Sequence, residues 1–576
     1  MQTVPFIPDN APFRPDQRLW LNGYLAGLCA AVRVPADGGN AQATPAVPLA
    51  ILYGSQTGTA EGLAKKIAKE AKARGWAPEV VAADHFAKVD WKAQTRLLVV
   101  TSTYGDGEMP DNARAFWAWL QTDEAAALAH LEYAVLALGD TNYPEFCAAG
   151  KKIDERLAAL GAKRLHARAE CDADYETRAK EWIGGTFALL GSPAPTAGGT
   201  ESDADEDEET GWTKARPFPA RLAVNRTLTG EGSAKEVRHF EIDLSGSGPD
   251  FKYEAGDALG VLPANDPALV GDLLALLGLE KDDALREALR TTYDITKPSP
   301  DLLKAAAQAD PNDELRPLLA PERKDDLVRW LWGREAIDLF AATPALRPDA
   351  AGLCALLKKL APRLYSISSS PKVHAGSVHL TVGIVRHRSH GRARGGVCST
   401  FLADRAGEGM AVPVFVQTSH GFRLPDDGNV PIVMVGPGTG IAPFRAFLHE
   451  RQATGARGKN WLFFGDQRAA TDFYYREEIE AMRASGHLTR LSTAFSRDQQ
   501  EKIYVQHRMA EEAAELWAWL QEGARFYVCG DASRMAKDVD DALRAVAEKA
   551  GGLSPEAAAA YVEDLRNAGR YQRDVY

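Results

Sequence analysis

From Val47 the chain repeats one unit: an apolar run, a loop of Gly, Ser or Thr, and a stretch with helical periodicity. The first copy is "VPLAILYGSQTGTAEGLAKKIAKEAKARG", in which Leu63, Ile67 and Ala71 recur every four residues on one helix face. The rhythm returns in "RLLVVTSTYGDGEMPDN" and "YAVLALGDTNYPEFC", and a second such region opens with "VPIVMVGPGTGIAPFRAFL" and runs to the end. Strands alternating with helices imply a parallel sheet covered on both faces, so the spacing predicts two separate α/β regions. From about residue 220 the intervening chain shows short alternating runs that predict a β-barrel, interrupted over about 266–360 by helical periodicity.

At 576 residues the chain is too long for one core and suggests three or four domains. Its segments read as 1–46, 47–190, 191–213, 214–428 and 429–576. The third, "GSPAPTAGGTESDADEDEETGWT", has no hydrophobic period and carries seven carboxylates in residues 201–209. It reads as a self-repelling flexible linker, with a solvated loop inside one domain as the alternative. A net charge of -12 disfavours nucleic acid as a partner. Six scattered cysteines, with no ligand spacing, indicate neither a disulfide framework nor a zinc or iron–sulfur site, which fits a reducing cytoplasm. The apolar stretch "WLNGYLAGLCAAV" (20–32) is shorter than the ~20 residues of a spanning helix and has no basic leader. No membrane is expected. That stretch reads as an amphipathic docking helix and a candidate contact for homo-oligomers, or as a helix packed on its own domain.

The loop "GSQTGTAEG" joins a strand to a helix start, where free N–H groups favour an anion and the hydroxyls of Ser55, Thr57 and Thr59 add donors. A phosphate fits there. No G-K-[ST] follows, so this is not a nucleotide-hydrolysing P-loop. The next two strands end in "TSTYGDGE", with Tyr104, and "LGDTNYPEFC", with Tyr143 and Phe146. Ligands of open α/β sheets bind beyond the carboxyl ends of the strands, so these loops converge on a flat monophosphorylated ligand such as FMN.

The motifs "SQTGTAE", "STYGDGE" and "LGDTNYPEF" resemble the FMN loops of the NADPH-dependent diflavin reductases, the family of cytochrome P450 reductase and the sulfite reductase flavoproteins. The resemblance implies an α/β multidomain fold: a flavodoxin-like FMN domain, a ferredoxin-reductase-like FAD barrel with a helical insertion, and an α/β NADPH-binding domain. It implies that Ser55, Gln56, Thr57, Gly58, Thr59 and Ala60 hold the FMN phosphate, and that Tyr104 and Tyr143 sandwich the isoalloxazine. Ser102, Thr103, Gly105, Leu138, Gly139, Asp140, Thr141, Asn142, Phe146 and Cys147 complete that set.

The second half matches the family in order. "RLYSISSS" resembles its FAD-binding strand, with Arg363 on the pyrophosphate and Leu364, Tyr365 and Ser366 at the flavin; an Arg fork suits a diphosphate. Thr296, Thr381, Val382, Gly383, Gly396, Val397, Cys398 and Ser399 join the FAD set by the same resemblance, while His387 stands where sulfite reductase flavoproteins have tyrosine. "GPGTGIAP" supplies Gly436, Gly438, Thr439 and Gly440 for NADPH, since glycines let a backbone approach a pyrophosphate at a helix start. "SRDQQEKIYVQ" adds Ser496, Arg497, Lys502, Ile503, Tyr504, Val505 and Gln506, a group suited to the 2′-phosphate, and Asp538 is placed with them.

By resemblance, Cys529, Ser366 and Asp574 form the polar set where hydride passes, and Tyr576 is the terminal aromatic stacked on the FAD ring and displaced by nicotinamide. The implied activity is hydride transfer from NADPH to FAD, single-electron steps to FMN, and delivery to a haemoprotein. The ending "RYQRDVY", the acidic linker and the N-terminal "RLWLNGYLAGL" favour the sulfite reductase flavoproteins, whose partner is a sirohaem and iron–sulfur subunit of assimilatory cysteine biosynthesis. A soluble P450-type reductase and a non-enzymatic electron-storage module are the alternatives.

Overall fold

A buried strand needs a partner for every backbone N–H and C=O, and the apolar runs that end in Gly-rich loops find theirs in two parallel sheets. The computed structural model describes residues 47–55, 58–105, 107–141, 145–172, 175–191, 211–310, 312–407, 410–419 and 421–576. Segment 1–46, residues 192–210 of the acidic stretch, and Gln56, Thr57, Asn142 and Tyr143 lie outside the described residues. Residues Val47–Tyr576 form one compact unit.

The first sheet contains β1 (Pro48–Gly54), β2 (Ala77–Ala82), β3 (Arg96–Ser102), β4 (Glu132–Leu138), β5 (Lys163–Arg164) and β6 (Ala169–Cys171). Its order is β2-β1-β3-β4-β5, with β6 also on β4, and every pairing is parallel. This is the flavodoxin order. The helix Thr59–Ala73 turns Leu63, Ile67 and Ala71 inward, where they join Trp182 and Phe187 of the helix Glu176–Leu190 on one face. On the other face, Phe116 and Leu120 of one helix and Ile153 and Leu157 of another cover the sheet.

The middle of the chain is antiparallel. Strands β7 (Phe218–Thr227), β8 (Val237–Asp243), β9 (Ala258–Val261), β10 (Tyr293–Asp294), β11 (Lys358–Lys359), β12 (Arg363–Ser366), β13 (Ser377–Gly383), β14 (Arg386–Ser389), β15 (Arg392–Gly395) and β16 (Ala411–Gln417) follow in sequence. Six of them make a sheet of order β12-β9-β16-β7-β8-β13, and a bridge between Ile367 and Leu380 draws its two ends together. Between β9 and β12 the chain turns helical, from Pro267–Leu277 to Ala350–Leu356, around its own core of Leu273, Leu289, Leu302, Phe340 and Leu353. The β10–β11 ribbon closes the base of this insertion, and β14–β15 is a separate hairpin.

The last sheet holds β17 (Ile432–Val435), β18 (Asn460–Asp466), β19 (Arg490–Phe495), β20 (Arg525–Gly530) and β21 (Tyr571–Val575) in the parallel order β19-β18-β17-β20-β21. Strand order reverses between β17 and β20. A ligand crevice belongs at that switch point, and "GPGTGIAP" and "YVCGD" leave the two strands there. No helix among the described residues is long and apolar enough to cross a membrane.

Candidate functional site

The phosphate loop begins where β1 ends. Gly58 caps the helix Thr59–Ala73 in the left-handed region at φ 85°, which a side chain would resist, and no side chain caps the helix. Ser55 donates its N–H to Asn112 Oδ1 at 2.8 Å, while its hydroxyl is buried with no hydrogen-bond partner. A phosphate would satisfy both the orphaned hydroxyl and the uncapped N–H groups. The residues present therefore fit FMN.

The other two loops are built around it. Thr103 donates to the carbonyl of Leu138 and accepts from Ala149 N, tying β3 to β4. Ser102 Oγ lies 3.4 Å from Gly54 O. Thr141 donates through N and Oγ1 to Asp172 at 3.0 and 2.5 Å, and Lys358 of β11 reaches Asp172 at 3.0 Å. The third loop is thus clamped to the FAD half of the molecule. Cys147 turns its thiol to Ala137 O and Cys171 O, and burial pushes that thiol up to about 12. Only its backbone can face a ligand.

Tyr104 is 9% exposed and shares an apolar cluster with Val528, Tyr571 and Val575 of the last sheet. Its hydroxyl accepts from Val575 N at 3.1 Å, and the Arg573 guanidinium lies 5.5 Å from its ring centroid. Burial raises its pKa well above the ordinary value.

On the barrel, Arg363 donates to Ala361 O at 2.8 Å and lies 3.9 Å from Asp294, to which Thr296 donates through N and Oγ1. The Cys398 thiol is buried near Tyr365, and burial pushes its pKa up to about 12. Gly396 opens the short turn Val397–Thr400 without a side-chain cap, and Ser399 Oγ accepts from Val385 N. Leu364 is exposed, Val382 points into the barrel core, and His387 is exposed beside Gly333. Thr381 turns instead toward the last domain, its hydroxyl 2.6 Å from Tyr475 OH. There His239, Glu241 and His379 have ligand atoms within 4.8 Å of one another, but Arg445 stands 3.4 Å from His379 Nδ1, and its fixed charge opposes a cation.

In the last sheet the loop after β17 presses on β20: a Cβ at Gly440 would collide with the carbonyl of Cys529. Gly436 and Gly438 precede it, and Thr439 lies 3.1 Å from the Tyr576 hydroxyl. Ser496, Arg497, Lys502, Tyr504 and Gln506 gather beyond the carboxyl end of β19, with Arg497, Lys502 and Tyr504 exposed. Gln506 donates to Asp538 at 3.0 Å. Ile503 and Val505 pack into the core, so their side chains are turned from a nucleotide.

The two halves meet at β21. Asp574 accepts from Ser366 Oγ at 2.5 Å and from Cys529 Sγ at 3.7 Å, which joins the barrel strand β12, the sheet strand β20 and the terminal strand. Burial raises the Asp574 carboxyl above the ordinary carboxylate range, against the lowering effect of both donors. Tyr576 is 54% exposed, and its backbone is fixed by Tyr576 N donating to Gly530 O and Ala532 N donating to Tyr576 O, both at 3.1 Å.

Comparison with known proteins agrees with this division. The flavodoxin family matches residues 51–182, the FAD-binding domain family 211–401, and the oxidoreductase NAD-binding domain family 434–541. The sulfite reductase [NADPH] flavoprotein alpha-component of Bacillus subtilis is 44% identical, covering 97% of this chain and 96% of its own length. Its namesakes in Vibrio cholerae and Mannheimia succiniciproducens are each 43% identical, covering 97% and 100% of this chain and 93% and 99% of their own lengths. The chain belongs to this flavoprotein family. It is an NADPH oxidoreductase of the diflavin type, with FMN, FAD and NADPH as its cofactors.

Sequence reasoning missed Asp111, Asp172, Lys358 and Arg573, which join the halves, and Asn112, which holds the Ser55 loop. "MPDN", directly after the Tyr104 loop, was the available signal for Asp111 and Asn112.

Proposed function

We propose that this chain draws electrons from NADPH and delivers them to a separate sirohaem and iron–sulfur subunit that reduces sulfite to sulfide. The observation that carries the reading is β21, whose neighbouring residues touch the flavodoxin-like loop at Tyr104, the barrel at Ser366 and the nucleotide sheet at Cys529. Two flavins supply the chemistry that a nicotinamide donor and a haem acceptor lack together: FAD takes two electrons at once, and FMN releases them singly.

The chain's own residues do the rest. Arg363 and the Gly396 turn would hold the FAD diphosphate, and Ser55 with the uncapped helix start would hold the FMN phosphate. Arg497 and Lys502 would grip the 2′-phosphate, which selects NADPH over NADH. Asp574 holds the Ser366 proton at Oδ2 and sets negative charge where a departing hydride leaves positive charge on the donor ring. Tyr576, beside Thr439, covers the nicotinamide position until that ring docks. The domain divisions at 47–190, 191–213, 214–428 and 429–576 follow from the same reading, with the last sheet beginning after residue 428.

The relatives are named as an alpha-component, which supports an acceptor on another polypeptide. The relatives are named for sulfite reductase, which favours that acceptor over a P450. A pull-down from the native cell, with identification of the bound haem, tests this. Sirohaem is expected in the complex; a b-type P450 haem would refute the sulfite reading.

A further inference from the structure

We propose that Arg573 and Asp111 form a latch that docks the flavodoxin-like domain on the terminal strand, and that this docking opposes nicotinamide binding at Tyr576. The inference rests on the reading of Tyr576 as the ring that nicotinamide displaces.

Strand β21 is the edge of its sheet, paired to β20 alone. On the flavodoxin-like side, Arg573 Nη2 donates to Asp111 Oδ1 at 2.9 Å and lies 3.7 Å from Glu108 Oε2. Val575 N donates to the Tyr104 hydroxyl. Strand alternation then sends Asp574 the opposite way, to Ser366 and Cys529. Residues 573, 574, 575 and 576 therefore contact the flavodoxin-like domain, the hydride set, Tyr104 and the Thr439 loop in turn. About 3.3 Å separates successive residues on a strand, so one cannot shift far without its neighbours.

Chemistry makes this contact reversible. The Arg573 side chain is only 8% exposed in the pair, and undocking would return its charge to water, while Asp111 keeps Arg114 of its own domain at 3.3 Å. Desolvation of a buried pair offsets much of its Coulomb gain, so such a contact can open at small net cost. Asp111 is followed by Asn112, which accepts from Ser55 N, so the latch also borders the FMN phosphate loop. If docking fixes β21 and with it the Tyr576 ring, a ligand that must move the ring works against docking. Linkage makes the antagonism mutual: docking weakens nicotinamide binding, and nicotinamide binding loosens docking.

The diagnostic variant is Asp111→Asn in the full holoenzyme, because Asp111 lies in the flavodoxin-like domain and has no part in the NADPH set. NADP⁺ should bind it at least about fivefold more tightly, the lower end of measured site–site couplings. Its radius of gyration by X-ray scattering should exceed that of the wild type, and NADP⁺ should expand the wild type in the same direction. Arg573→Ala, made on the other side of the contact, in the terminal strand, should do the same. Asp111→Arg combined with Arg573→Asp should restore the original affinity, which a merely structural defect would not. Unchanged NADP⁺ affinity in both single variants overturns the latch. Failure of wild-type NADPH to bleach the FAD band would instead remove the functional reading beneath it, so the two failures are distinguishable.

Discussion

Asp574→Asn lowers the rate of FAD reduction by NADPH about 100-fold or more, and with it the reduction of every acceptor. The side chain keeps its shape but loses its charge, and its amide donors then face the Ser366 hydroxyl and the Cys529 thiol, which now donate to Asp574. Losing one oriented electrostatic contact at a reacting centre costs about 10²–10³ in kcat. Because the contact acts on the reacting ring rather than on the nucleotide's phosphates, kcat and kcat/KM should fall together.

The pH profile carries a second signature. Burial raises the Asp574 carboxyl above its ordinary value, so on acidification it takes up its proton at a higher pH than a free aspartate near 3.9 would. The anion is the working form. The hydride rate should therefore fall as pH drops through that raised value, and the limb should vanish in Asp574→Asn, leaving a slow and flatter profile. Stopped-flow absorbance of the flavin band across pH checks this, with FAD content measured alongside. An acid limb that persists in the variant would assign it to another group.

Tyr576→Ala should tighten NADP⁺ binding by up to about tenfold and erode the preference for NADPH over NADH. The ring's hydroxyl is 3.1 Å from Thr439 Oγ1, and its main chain is tied to Gly530 and Ala532. The ring thus stands at the nicotinamide loop on a fixed backbone. An aromatic contact is worth about 0.5–1.5 kcal/mol beyond its buried area, and each 1.4 kcal/mol is a factor of ten. Nicotinamide must give back that amount to displace the ring. On the proposed reading, Arg497 and Lys502 would grip the 2′-phosphate and offset this cost in the wild type, and NADH lacks that phosphate. Removing the ring therefore helps NADH more than NADPH. Inhibition constants for NADP⁺ and steady-state rates with both nucleotides decide it. An unchanged constant and an unchanged preference would make the ring ordinary packing.

Much of this architecture was legible because periodicity reports burial. Leu63, Ile67 and Ala71 face a sheet as their spacing requires, and "GPGTGIAP" lies at the switch point because an apolar strand precedes it. What periodicity cannot report is the element that covers a face. Thr381 lies beside the FAD strand in sequence, yet its hydroxyl meets Tyr475, which a different domain brings to it. Ile503 and Val505 stand inside a charged, nucleotide-like run, but their apolar side chains turn to the core beneath it. Cys147 follows an aromatic loop and still points into the sheet, where its thiol meets Ala137 O and Cys171 O. Arg573 and Asp111 are 462 positions apart, and neither charge stands out from its neighbours in the sequence.

Electrons pass in a fixed order on this reading, from NADPH through FAD and then FMN to a partner on another chain. Depleting the holoenzyme of FMN while retaining FAD, then mixing it with NADPH and the sirohaem subunit under anaerobic conditions, tests that order most directly. FAD bleaching and ferricyanide reduction should stay near their original rates, partner reduction should fall to background, and added FMN should restore it. Full-rate reduction of the partner by the FMN-depleted protein would refute that order.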